Sequence, residues 1–403
     1  MPCSLVGDAI AALETHPRLP YVPAVREDVA VGMAAGAWMA GRVPMVIMQN
    51  SGLGTSLNAL VSLSLMYRFP TLLLVTWRGH AGQDAPEHIV MGDISPRLLE
   101  LIAVPHRVLA AGSVAADIAW ARAEAERLSQ PVALLLPPGV MATREHAEHA
   151  PASASSARGH DASSADGGRA GAISRPPLMV DRDSPPRELL RADLTPQISR
   201  LEALRAALGA VGDAPVVHAN GFICRESFSV GDRPQNFYMI GSMGLASAIG
   251  LGVALARPDL ITVIFDGDGN LLMNLGILPM IGGAPVLGTG STGDQRPRNL
   301  VHIVFDNERY GSTGNQLSPS RHTRLDALAA AAGYRSTAAV MGAAALRDAT
   351  AAAMRGDGPS FILAKVTSEE QPSPRIPYPP AEIRDRFRGA LRGRGPAPAG
   401  RGR

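Results

Sequence analysis

Leu260-Ile261-Thr262-Val263-Ile264-Phe265-Asp266-Gly267-Asp268-Gly269-Asn270 is an apolar run that breaks into an acidic, glycine-rich turn. Such a run, closed by a turn, predicts a strand buried on both faces of a parallel sheet. A helix-like apolar stretch follows over residues 271–281, so Asp268 is expected at the carboxyl end of a strand. Ligands of open α/β sheets bind in the crevice beyond those ends. Glycines let the backbone approach an anion closely, and a helix N-terminus favours phosphate oxygens. Asp268 then reads as a hard-oxygen ligand for Mg2+, which takes one or two carboxylates together with phosphates and waters. An EF-hand competes, because Asp266, Asp268 and Asn270 fall on its first, third and fifth positions. It fails at Leu271, where the loop needs Gly, and at Ile277, where it needs a bidentate Glu. A plain acidic turn remains an alternative for this segment taken alone.

Working outward, Asn299-Leu300-Val301-His302-Ile303-Val304-Phe305-Asp306-Asn307 is a second buried run, ending in an amide. Asn307 can offer a carbonyl oxygen to the same cation. Buried-strand patterns recur at residues 43–49, 71–76 and 131–136, then at 215–219, 300–305 and 360–366, with helical patterns between them, including residues 26–41 and 113–128. Alternation of this kind predicts α/β architecture with crossover helices. Residues 146–197 shift to Ala, Ser, Gly, His, Asp and Pro, too few large apolar side chains to offset chain entropy, and read as a disordered linker. Residues 386–403 are rich in Arg, Gly and Pro and are expected to fray as a basic tail.

A chain of 403 residues is long enough for two domains. Its formal net charge of +2 argues against nucleic acid as a partner. Lys365 is the only lysine, and biased codon usage explains that more simply than selection for anion recognition. Cys3 and Cys224 match no disulfide or metal framework. The N-terminus lacks a signal-peptide pattern and no apolar run is long enough to span a bilayer, so a soluble cytoplasmic protein without membrane contact is expected.

A strand, Gly-Asp-Gly, a helix and a strand ending in Asn together resemble the diphosphate-and-metal motif of thiamine-diphosphate enzymes. Upstream, Gly241-Ser242-Met243-Gly244 also matches, with Met243 where that family places the bulky residue that bends the cofactor. Glu27 stands where such enzymes place a glutamate that hydrogen-bonds the aminopyrimidine, a role that asks for a buried carboxyl with a raised pKa. Read alone, Glu27 is a first-turn acid favoured by the helix dipole. With Gln49-Asn50-Ser51-Gly52-Leu53-Gly54, Asn58-Ala59-Leu60, Trp77-Arg78-Gly79 and Asp84-Ala85-Pro86-Glu87-His88, the pattern resembles the phosphonopyruvate and sulfopyruvate decarboxylase group.

That resemblance implies an α/β chain of two thiamine-diphosphate-binding-fold domains without a middle domain, each a mostly parallel sheet flanked by helices. Residues 1–145 would bind the pyrimidine and residues 198–385 the diphosphate. The implied cofactors are thiamine diphosphate and Mg2+. Glu27, Asn50, Ser51, Gly52, Gly241, Ser242, Met243, Gly267, Asp268, Gly269, Asn307 and Tyr310 would bind the cofactor, and Asp268, Asn307 and the Arg309 backbone carbonyl the metal. Glu27, Arg78 and His88 would be catalytic, Arg78 as a cation for an anionic 2-oxo acid and His88 as a proton carrier. The alternatives are a strand-end cap for Arg78 and a surface position for His88. Arg225, Glu226, Ser312, Thr313 and Gln316 are further pocket candidates. The implied reaction is non-oxidative decarboxylation of 3-phosphonopyruvate, with sulfopyruvate as the rival substrate, in a homo-oligomer whose site lies between subunits. A carboligase is disfavoured by the missing middle domain, and a silent subunit by the joint presence of Glu27, Asp268 and Asn307. Two departures from the family pattern are the unusually long linker over residues 146–197 and a Gly/Ser/Asp-rich insertion over residues 285–298, which lengthens the interval between the two metal-side motifs.

Overall fold

Every residue of the strand Thr262–Gly267 is buried, and its apolar side chains each contribute roughly 1.5–3 kcal/mol by leaving water. The computed structural model describes residues 4–141, 194–283, 286 and 294–393. Two parallel sheets organise them. The first joins β1 (Met45–Gln49), β2 (Thr71–Thr76), β3 (His106–Val108) and β4 (Pro131–Leu136) in the order β1-β2-β4-β3. The second contains β5 (Val216–His218), β6 (Asn236–Tyr238), β7 (Thr262–Gly267), β8 (Leu300–Asp306), β11 (Ser336–Val340) and β12 (Ser360–Lys365). Its order is β11-β12-β8-β7-β5-β6. A short antiparallel hairpin, β9 (Arg309–Tyr310) with β10 (Gln316–Leu317), follows β8.

Register decides where the chemistry falls. Gly267 lies opposite Phe305, and Asp306 opposite Lys365, so the turns after β7 and β8 emerge side by side at one carboxyl edge of the sheet. Phe265 and Phe305 pack edge-on at 5.2 Å beneath them. The helix Glu27–Met39 crosses the helix Ala246–Ala256 with backbones nearly touching. A Cβ on Gly36 would fall 2.1 Å from the Ile249 carbonyl oxygen, and one on Gly252 2.1 Å from that of Met33. Glycine at both positions therefore sets the approach of the two helices, one of which carries Glu27 at its start.

Two expectations need correction. The helix anticipated over residues 271–281 is two pieces, Asp268–Leu272 and Ile277–Gly283, because Asn274 turns back to donate to the Gly244 carbonyl at 3.1 Å. The tail expected to fray from Arg386 is instead helical through Arg392, since Phe387 and Leu391 bury and Arg388 stacks on Trp38 at 3.6 Å. Residues 394–403 lie outside the described residues, as do most of the expected linker, residues 146–193, and most of the expected insertion, residues 285 and 287–293. No helix among the described residues is long and apolar enough to cross a membrane.

Candidate active site

A cleft opens at the carboxyl edge between β7 and β8. Among its lining residues are Met243, Gly267, Asp268, Gly269, Asn307, Arg309 and Tyr310, so seven positions expected from sequence meet in one place. Ser312 also lines it. The floor is tight: a Cβ on Gly269 would lie 2.5 Å from the Tyr310 ring and 3.4 Å from Met243 Cε. Alongside, Ser242 adopts φ +53° and its hydroxyl lies 2.6 Å from that of Ser62, tying the Gly241-Ser242-Met243 loop to the π-helical segment Leu60–Leu65. Asn270 fixes the other end of that loop by accepting from the Gly244 N–H at 2.6 Å.

Asp268 is 3% exposed, and its Oδ2 lies 3.0 Å from the Ser320 hydroxyl. The same hydroxyl lies 2.8 Å from Asp306 Oδ1, so its single proton serves one carboxylate at a time. Burial, reinforced by the Asp306 charge, pushes the Asp268 carboxyl up to about 6, although bonds from Ser318 and Ser320 offset part of that. A cation would relieve both effects. Among the described residues no group of three or more His, Cys, Asp or Glu side chains could hold a metal alone. A metal here therefore needs ligand oxygens beside Asp268 and Asn307, which is how Mg2+ is held with phosphates. The donor set fits a Mg2+-diphosphate group.

Sequence reasoning missed several supports of this cleft. Arg200, one of its walls, makes a buried two-point ion pair with Glu226 at 3.0 and 2.7 Å and lies over the Phe222 ring. Glu226, taken as a pocket candidate, is thus committed to Arg200. Beneath the turn, Asp266 accepts from Asn270 at 2.6 Å and meets His302 at 3.0 Å, both wholly inside the core. An acid and a histidine embedded in apolar strands were the available signal.

The N-terminal candidates gather elsewhere. Glu27 opens its helix, accepts from the Thr55 hydroxyl at 2.9 Å, and presses on Gly52, where a Cβ would lie 2.3 Å from Glu27 Cγ. Burial raises its carboxyl, but the charge of the chain's N-terminal amine, with hydrogen bonds from the Glu27 N–H and Thr55, outweighs that and leaves it below the ordinary value. The raised pKa expected from sequence is therefore not the state of Glu27 in this single chain, where favourable contacts to the charged form outweigh burial. Asn50 is buried and bridges to Arg78, donating to its carbonyl at 2.9 Å and accepting its N–H at 3.2 Å, while Ser51 accepts from Gln49 at 2.9 Å. Arg78 forms a two-point pair with Asp84 at 2.6 and 2.5 Å, which holds the Asp84 carboxyl well below the usual range. His88 is mostly covered and sits 3.8 Å from Glu87. None of Glu27, Asn50, Ser51, Gly52, Arg78 or His88 lines the Asp268 cleft.

The chain is similar to known proteins in sequence and in fold. Residues 216–283 match the family described as "Thiamine pyrophosphate enzyme, C-terminal TPP binding domain". The phosphonopyruvate decarboxylase of Streptomyces viridochromogenes is 37% identical over 96% of this chain and 89% of its own. The sulfopyruvate decarboxylase of Methanosarcina acetivorans is 29% identical over 97% of this chain and 92% of its own. The solved structure of the Rhodococcus jostii RHA1 thiamine diphosphate-dependent 4-hydroxybenzoylformate decarboxylase matches with a TM-score of 0.62 over 87% of this chain and 93% of its own. At 15% identity that likeness is one of fold. On its whole-length similarity, the chain belongs to the phosphonopyruvate decarboxylase family and is a thiamine-pyrophosphate-dependent decarboxylase acting on a small 2-oxo acid.

Proposed function

We propose that this decarboxylase converts 3-phosphonopyruvate to phosphonoacetaldehyde and CO2 with thiamine diphosphate and Mg2+, as a step in phosphonate natural-product biosynthesis in the cytoplasm. The observation that carries the metal is the buried Asp268 carboxylate facing Asp306 beside Asn307. Greater identity to the phosphonopyruvate enzyme than to the sulfopyruvate enzyme favours the phosphonate. Bound thiamine diphosphate supplies the electron sink that loss of CO2 from a 2-oxo acid requires. Asp268, Asn307 and the Arg309 carbonyl hold the cation, and Gly267 and Gly269 serve the diphosphate with their backbone, the Tyr310 ring filling the space beside Gly269. Gly241 and Ser242 shape the loop that presents Met243, and Tyr310 packs against the same floor.

Glu27, with Asn50, Ser51 and Gly52 around it, holds the pyrimidine end, and Arg78 and His88 serve the substrate. Asp84 orients the Arg78 guanidinium toward the phosphonate, and His88 carries the proton delivered to the product carbon. Because Glu27 lies outside the Asp268 cleft, the complete site forms between two copies, the first half of one (residues 1–145) against the second half of the other (residues 198–385). Covering Glu27 with that second copy removes water and moves its carboxyl upward. Turnover of purified phosphonopyruvate and sulfopyruvate tests the substrate: the phosphonate is expected to be preferred, and preference for the sulfonate would reverse the assignment.

A pH dependence follows from Asp268. Its value in the folded chain lies above that of an exposed aspartate, so folding stability from this group is lost as pH rises toward 6, and a cation must displace its proton below 6. Mg2+ affinity is expected to rise about tenfold per pH unit up to about pH 6 and then level off. Mg2+ titrations of cofactor binding at several pH values check this, and a flat profile contradicts it.

A further inference from the structure

Lys365 is the only lysine in a chain that uses arginine at every other basic position except histidines. It ends β12, directly opposite Asp306 on β8, and is 3% exposed. Its Nζ donates to Asp306 Oδ2 at 2.9 Å and to Glu308 Oε1 at 2.6 Å. Those two acids flank Asn307. Asp306 uses its other oxygen to accept the Glu308 N–H at 3.0 Å, and that oxygen also faces Ser320, which reaches Asp268. Glu308 itself sits at φ +57°, a left-handed conformation that a non-glycine residue holds only when its surroundings impose it.

We propose that Lys365 is a positioning residue for the metal: its ammonium clamps Asp306 and Glu308 together and so aims the Asn307 amide and the Arg309 carbonyl at the cation. This rests on the reading above that Asp268 and Asn307 hold Mg2+. The clamp has two physical parts. It imposes the tight turn between β8 and β9, and it places a positive charge between the two acids that flank Asn307. A compact ammonium does both from the floor of a buried strand end. A guanidinium is bulkier and carries its donors in a rigid plane, so it would meet the two acids in a different geometry. Biased codon usage explains why lysine is absent elsewhere; the two carboxylates explain why it persists here.

The test is the Mg2+ requirement of thiamine diphosphate binding, measured by calorimetry in wild type, Lys365→Met and Lys365→Arg. The methionine variant keeps the stem and removes the clamp. Its half-saturating Mg2+ concentration is expected to rise by about ten- to a hundredfold, the usual cost of losing a group that orients metal ligands. Lys365→Arg, which restores charge without geometry, should fall between the two. A residue that merely stabilises the fold would lower the melting temperature and leave the Mg2+ requirement where it was. Should Lys365→Met fail to fold, Glu308→Ala removes one arm of the clamp at a half-exposed site and should shift the requirement in the same direction. If wild type needs Mg2+ and these variants need no more of it, the clamp is overturned. If wild type binds the cofactor equally well without Mg2+, the metal reading beneath it falls as well.

Discussion

Asp268→Ala is expected to abolish Mg2+-dependent binding of thiamine diphosphate while leaving the fold intact. The loss should exceed a hundredfold in affinity, since removal of an orienting neighbour alone costs up to about that much and Asp268 offers the only carboxylate lining the cleft among the described residues. The fold should tolerate the change for an electrostatic reason. A buried carboxyl held near 6 costs on the order of 3 kcal/mol when ionised at neutral pH, so its removal relieves the protein without cation. Calorimetry with cofactor and Mg2+, paired with a melting curve of the metal-free protein, reads both effects. Unchanged cofactor affinity would refute the metal assignment, and a collapsed melting temperature would mean that Asp268 is structural.

Glu27→Gln is expected to bind the cofactor and to lose most turnover, by roughly two to four orders of magnitude, the range associated with a lost proton-transfer group. Glutamine keeps the shape against Gly52 and can still accept from Thr55 Oγ1, so the start of the helix should be undisturbed. What it cannot do is exchange a proton. The separation of Glu27 from the Asp268 cleft adds a second expectation: sedimentation should find an oligomer, and a fully active monomer would contradict a site shared between copies. Near-normal turnover in Glu27→Gln would remove that residue from the mechanism.

The metal side of the site was legible because two buried strands end in their chemistry. Continuous apolar runs into Asp268 and Asn307 need no partner to be read, and parallel pairing of β7 with β8 then places their ends together. In the two parallel sheets the strands that escaped notice are β3 and β6, three residues each, and β11, whose Ser-Thr-Ala-Ala-Val lies at a sheet edge with little to bury. Their formation depends on neighbours that local sequence does not announce. The C-terminal helix was hidden for a related reason: its arginines look like a solvated tail until Arg384 is seen donating to the Tyr67 and Arg68 carbonyls of the first half. Lys365 was visible as a solitary residue, but its task emerged only from the register that sets it against Asp306. Glu27 marks the opposite limit, because its position was readable while its electrostatic state depends on what covers it.

Release of aldehyde from 3-phosphonopyruvate, followed in a coupled assay with and without added thiamine diphosphate and Mg2+, bears most directly on the whole account. Turnover that appears only when both are present is the predicted result. Aldehyde release that is indifferent to the cofactor, or absent when both are saturating, would contradict it.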